Sequence, residues 1–308
     1  VTKNSLKVFA TDGTEATVTV EGSALDYLTS ENHFDYRTLS IQDKTFILNR
    51  LIEVEEEPIP SFTPGLAGTV IVKSVQYGAI YSVTVNGTKY SITTPEATSD
   101  EGKDVNVDYI LNGLKDAIKQ TTVTKLDISL ELSSETAFTL DAVGGKNNEA
   151  LTSFQDKIQD ASDVPSTSVN GRVVKVENSS SPDDDYYLKY VTADKQWEET
   201  RAPDASPGLV NSTMPHELIS TGPNEFTLKE CEWNKRLTGD MNTAPSPSFV
   251  GSTLNNILFI SNRLGLLSGP NIVLSRVSAY ENFFIKSALV QIDSDPIDLN
   301  TNSTIPSN

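Results

Sequence analysis

Apolar and polar residues alternate in short runs along most of this chain, and period-two alternation is what a strand with one buried face requires. Leu6-Lys-Val-Phe and Ala16-Thr-Val-Thr-Val20 flank Thr11-Asp-Gly13, a hairpin-type turn. Residues 39–50 carry two strand-like runs around Gln42-Asp43-Lys44. Residues 69–76, 80–85 and 88–93 read as strands, the last two joined by Asn86-Gly87, the pair that best tolerates the positive φ of a tight hairpin. The period then changes. Val107, Ile110, Leu111, Leu114, Ala117 and Ile118 recur at three- and four-residue spacing behind Asn106, which predicts an N-capped helix. Leu126, Ile128, Leu130 and Leu132 return to alternation, and Ala137-Phe-Thr-Leu140 leads to a turn at Gly144-Gly145.

A short amphipathic stretch (Leu151, Phe154, Ile158) precedes three further strand patterns at 171–176, 186–191 and 196–200. From Ile257 onward, short β runs are broken at intervals by Gly, Pro and Asn. The Pro-broken charged run Glu53-Val-Glu-Glu-Glu-Pro-Ile-Pro60 reads as a solvated linker, and the Pro-rich residues 202–208 read as the return. These textures predict a mainly β protein with α+β inserts: a β body in two parts, 1–52 and 206–308, an α+β insert at 53–150 and a β-rich insert at 151–205. Phe46-Ile-Leu-Asn-Arg50 recurs as Phe259-Ile-Ser-Asn-Arg263, which predicts comparable places for the two strands in one β body. Arg50 and Arg263 would then fork onto carboxylates such as Asp295.

Charge narrows the functional classes. The 308 residues carry 24 Lys plus Arg against 42 Asp plus Glu, a formal net charge of −18. Affinity for nucleic acid irrespective of sequence comes from cations displacing phosphate counterions, so the charge argues against a DNA-binding module. A wall past which DNA slides without adhering is compatible with that charge. No window is apolar enough to span a bilayer, and no signal sequence opens the chain. Neither end has the texture of a domain boundary, so a segment of a longer chain is expected.

Candidate chemistry is sparse. Cys231 stands alone, which excludes an internal disulfide and a multi-cysteine zinc site; flanked by Glu230 and Glu232, it is expected to be a buried thiol of raised pKa. The two histidines are His33 and His216, and His216-Glu217 lacks the second histidine of a zinc-protease helix, position 220 being Ser220. Asp183, Asp184 and Asp185 lack calcium-loop spacing and read as a hairpin loop. Asp293, Asp295 and Asp298 are spaced to converge on a cation or to act as a carboxylate pair, with strand-end chemistry as the alternative. Trp197 and Trp233 read as core or seam residues. No catalytic, cofactor-binding or metal-binding residue is assigned.

One set of motifs goes further. Thr45-Phe-Ile-Leu-Asn-Arg50, Tyr77-Gly78 with the Asn86-Gly87 hairpin, Tyr186-Tyr-Leu-Lys-Tyr190, Trp197-Glu-Glu-Thr200, Met214-Pro-His-Glu-Leu218, Trp233, Gly239-Asp240, Pro247-Ser-Phe-Val-Gly251, Asn262-Arg-Leu-Gly265 and Asp293-Ser-Asp-Pro-Ile-Asp298 occur in this order. The series resembles the nozzle, or tail tubular protein B, family of short-tailed bacteriophages. The resemblance implies a β-propeller-like body carrying inserted platform domains, assembled as a homo-hexamer in the virion tail. It also implies an adaptor ring above (tail tubular protein A), attached tail fibres, and genomic DNA passing through the channel during ejection. No catalytic residue and no cofactor come with it. Family members are much longer, and Ser246 stands where a bulkier residue is expected. Two alternatives remain: a carbohydrate-active tail protein cleaving glycan with a carboxylate pair that includes Asp295, and an adhesin of β-sandwich modules.

Overall fold

The computed structural model describes residues 1–100, 104–177 and 181–301. Its strands form five open sheets among the described residues, with one α-helix. The chain divides into two units, Val1–Pro60 with Ala205–Asn308, and Ser61–Asp204.

In the first unit, a five-stranded sheet runs in the order Thr17–Val20, Glu225–Lys229, His216–Gly222, Lys44–Asn49, Tyr36–Ile41. Only the first pair is parallel. Both faces of this sheet are covered, which is why Phe46-Ile-Leu-Asn49 is buried throughout rather than at every second residue. Phe46 and Leu48 enter one core with Met214, Trp233, Phe249, Phe283 and Leu266. Ile47 enters the other with Tyr27, Leu28, Tyr36 and Leu228. A second, antiparallel sheet follows the order Asn256–Ile260, Arg263–Ser268, Asn271–Leu274, Ile297–Asn300, and gives Ile257, Leu264, Leu266 and Val273 to the Phe46 core. Gly265 lets these strands pack closely, because a Cβ there would lie 2.6 Å from Leu258 Cδ1 and 2.9 Å from Leu274 Cδ2 and would force both leucines to shift.

Lys44–Asn49 and His216–Gly222 are hydrogen-bonded neighbours, yet the whole second unit lies between them in sequence. The outgoing and returning segments run side by side: Glu57 N donates to Gly208 O (2.8 Å) and Val210 N to Glu55 O (2.9 Å). Paired exit and return let a long excursion leave the sheet register undisturbed. The Glu53–Glu57 run is therefore no solvated linker. Val54 is fully buried, and Glu53 and Glu56 form bridges with Thr253 and Leu209.

The second unit holds a sheet in the order Leu151–Phe154, Ala67–Val72, Ser129–Ser133, Thr122–Lys125, and a three-stranded one in the order Thr88–Thr93, Ile80–Val85, Leu140–Gly144. The helix Val107–Ala117 buries Ile110, Leu111 and Leu114, and Asn106 Oδ1 caps it by accepting from Tyr109 N at 2.8 Å. Asn86 and Gly87 take φ of 49° and 77° in the hairpin turn. A third sheet, in the order Lys157–Ile158, Val173–Val176, Tyr186–Val191, Gln196–Thr200, has its own core of Ile158, Val174, Val176 and Leu188.

Several expectations change. The alternation over 126–132 crosses a turn in which Leu126 N donates to Ser129 O (2.9 Å), so only Leu130 and Leu132 are buried strand residues. Residues 151–158 form two strands. Leu6–Phe9 makes only an isolated bridge from Phe9 to Glu15, and Phe9 is exposed. The strands that carry the Phe-Ile-x-Asn-Arg copies border one core, through Phe46 and Leu48 in the first and Ile257 in the second, but the copies are not equivalent. Phe46 and Asn49 are buried in an inner strand, whereas Phe259 is 44% exposed and Ser261-Asn262 form a turn with φ of 49° and 59°. Tertiary pairing, which a five-residue match does not encode, decides the difference.

Candidate functional site

The sequence-flagged acids serve separate purposes. Asp295 Oδ2 accepts from Ile292 N (3.0 Å) while its Oδ1 faces Arg276 Nε (3.4 Å). Asp298 accepts from Ser248 N (2.7 Å) and Ser248 Oγ (2.6 Å). Arg263 does not fork onto these carboxylates. It begins its strand, and its guanidinium donates to three backbone carbonyls, those of Ser275 and Asp295 (2.7 Å each) and Asp293 (2.6 Å). Arg50 Nε is buried with no hydrogen-bond partner among the described residues. The Asp-Ser-Asp-Pro-Ile-Asp motif is thus a lock that positions the Ile297–Asn300 strand. Asp183 and Asp184 lie in a one-turn 3-10 helix, while Asp185 is buried against Lys175 Nζ (2.7 Å).

Around Cys231 a charge cluster forms on the Phe46 face of the five-stranded sheet. Lys44 Nζ lies 2.6 Å from both Glu217 and Glu281, and Lys229 Nζ lies 3.3 Å from Glu217. The donor atoms of Glu217, Cys231 and Glu281 lie within 4.8 Å of one another, as a metal site needs. The Lys44 ammonium, however, already bonds both carboxylates. Burial opposes its charge, and the hydrogen bonds it donates to Glu217 and Glu281 outweigh burial and raise its pKa. Burial first, then Glu217, pushes the Cys231 thiol up, so the acids that matter are brought by the fold rather than being its chain neighbours.

Arg236 carries a third network that sequence reading missed. Its side chain is wholly buried, donates to Ala244 O and to Ser246 Oγ (2.8 Å), faces Glu56 (3.4 Å), and lies over the Phe284 ring at 5.1 Å. Ser246 Oγ also donates to Glu56, so the small residue at 246 leaves room for the ion pair. In the second unit, Glu131 accepts from Thr69 (3.0 Å) and Ser168 (2.9 Å), with Arg172 Nε at 3.8 Å. Burial raises the Glu131 pKa against the pull of Arg172.

His216 is a core residue. It stacks on Tyr27 (4.2 Å between centroids, 8° between planes), and its Nδ1 lies 3.0 Å from Met214 O. Burial depresses its pKa below 6.5, so the unfolded chain binds a proton that the folded chain refuses. The stabilisation is complete above pH 6.5 and shrinks as pH falls through the depressed value. A thermal-melt series should therefore show the first unit losing stability below pH 6.5, with a shallower slope in His216→Phe, which keeps a ring on Tyr27.

What unites these sites is that buried ion pairs and guanidinium-to-carbonyl bonds fix loops onto sheets. Charges so engaged hold a shape. The bacteriophage nozzle protein family model matches residues 1–308, and the chain belongs to that family, a structural component of the phage tail. It is similar to tail tubular protein gp12 of Escherichia phage T7, at 30% identity over 312 residues and 97% of this chain. The chain spans 39% of that relative's length. Four of the motifs that carry the resemblance supply these contacts: Glu217 and His216 come from one, Arg263 from a second, and Ser248 with Asp298 from two more.

Proposed function

We propose that this chain forms part of the wall and platform of the phage nozzle, with six copies surrounding the channel through which DNA is ejected. The family match along all 308 residues carries this reading. In it, the unit formed by residues 1–60 and 205–308 contributes to a propeller-like body, and the inserted unit 61–204 forms the platform that meets the adaptor ring and the tail fibres. Its role is mechanical, with no catalysis and no cofactor.

The net charge of −18 supports a wall that repels the DNA phosphates and so offers little friction to the passing duplex. Negative-stain microscopy of the full-length parent protein, alone and with its adaptor, tests the assembly, and six-fold rings with an axial channel are expected. Fluorescence polarisation with a labelled duplex should show no micromolar binding by the 308-residue chain at physiological salt. Salt-dependent micromolar binding, or particles without six-fold symmetry, would overturn the reading.

A further inference from the structure

The unit Ser61–Asp204 contains a cavity of about 460 Å³, within the range of roughly 300–1,000 Å³ typical of ligand pockets. It lies on the third sheet's face opposite the Val174 and Leu188 core, where Lys157, Lys175 and Tyr187 are cross-strand neighbours. Phe62 and Val173 add apolar wall, and Asp156 and Asp204 add carboxylates.

The two lysines suggest an anion site at first sight, but their charge is already matched. Lys157 Nζ lies 2.7 Å from Glu177, and Lys175 Nζ lies 2.7 Å from the buried Asp185. Asp156 Oδ2 accepts from Gly65 N (2.6 Å), and Arg172 Nη1 pairs with its Oδ1 at 3.9 Å. The same guanidinium donates to the carbonyls of Gln155 and Val173 and pairs with Glu131 at 3.8 Å. Asp204 is exposed. Around the cavity five carboxylates (Glu131, Asp156, Glu177, Asp185 and Asp204) stand against three bases (Lys157, Lys175 and Arg172), so the balance is negative, and two aromatic side chains line it, one of them, Phe62, 44% exposed.

We propose that this cavity receives a basic side chain of a partner protein, arginine for preference. Arginine combines an apolar stem for Phe62 and Val173 with a weakly hydrated planar cation. That cation stacks on aromatic rings and forks onto carboxylates, whereas the lysine ammonium is a strongly hydrated point charge.

The test is an NMR titration of the 308-residue chain with acetyl-Gly-Arg-Gly-amide and with the same peptide carrying citrulline, a neutral isostere. Saturable shifts at Lys157, Val173 and Tyr187 are expected, with the arginine peptide bound at least about fivefold more tightly than the citrulline one. Asp204→Asn should weaken arginine binding about threefold and leave citrulline binding unchanged, since an exposed carboxylate acts here through charge. Phe62→Ala should weaken both peptides. Equal affinity for the two peptides, saturable shifts confined to other residues, no saturable shift, or unchanged affinity in both variants would overturn the proposal.

Discussion

Replacing Arg236 by Met should destabilise the first unit by about 3–5 kcal/mol, the cost of removing one partner from a buried ion pair. The side chain is fully buried, so its loss strands the Ala244 carbonyl and leaves Glu56, itself 20% exposed, facing an apolar group. The double variant Arg236→Met/Glu56→Gln should recover part of the loss, because it removes the orphaned charge. Each unit contains one tryptophan, Trp233 in the first and Trp197 in the second. Urea melts followed by Trp233 fluorescence in a Trp197→Phe background therefore report the first unit alone. A loss below about 1 kcal/mol, or a double variant no more stable than Arg236→Met, would show that the ion pair does not hold this loop system together.

The second large effect separates the two copies of Phe-Ile-x-Asn-Arg. Phe46→Ala should cost about 3–5 kcal/mol, the usual penalty for emptying a buried aromatic site. Phe46 is completely buried, and its ring lies 6.1 Å from Trp233, which itself lies 5.7 Å from Phe283. Phe259→Ala should cost about 1 kcal/mol, since that ring is 44% exposed and packs edge-on against Tyr280 at 5.5 Å. The same single-tryptophan melts measure both. Equal losses would mean that the copies are equivalent after all, against the burial difference.

Unfolding of the two units should not be treated as one transition without evidence that they unfold together. The Trp233 reporter avoids that assumption, and the converse Trp233→Phe background follows the second unit through Trp197, which packs on Tyr190 and donates from Nε1 to Pro165 O at 2.8 Å.

Local chemistry was legible where it alone decides the conformation. Asn86-Gly87 specified its hairpin because few other residues take two successive positive φ angles, and Asn106 with the spacing of Ile110, Leu111 and Leu114 specified a capped amphipathic helix. The excess of acid, the lone cysteine and the ordered motifs of the nozzle family were likewise present in the residues themselves. Sheet partners were not, because a strand's pattern gives its buried face and says nothing of its neighbour. Lys44–Asn49 pairs with a strand about 170 residues away, across the whole second unit. For the same reason the Glu53–Glu57 run reads as solvated from the sequence, and nothing in the sequence marks Arg236. A buried charge is tolerated only where its counter-charge and acceptors converge, and Glu56, Ser246 and the Ala244 carbonyl meet Arg236 only after the chain has returned beside its own exit. Composition and motif order therefore determined the class of protein, whereas long-range pairing decided which of its charges lock the fold and which remain open to a partner.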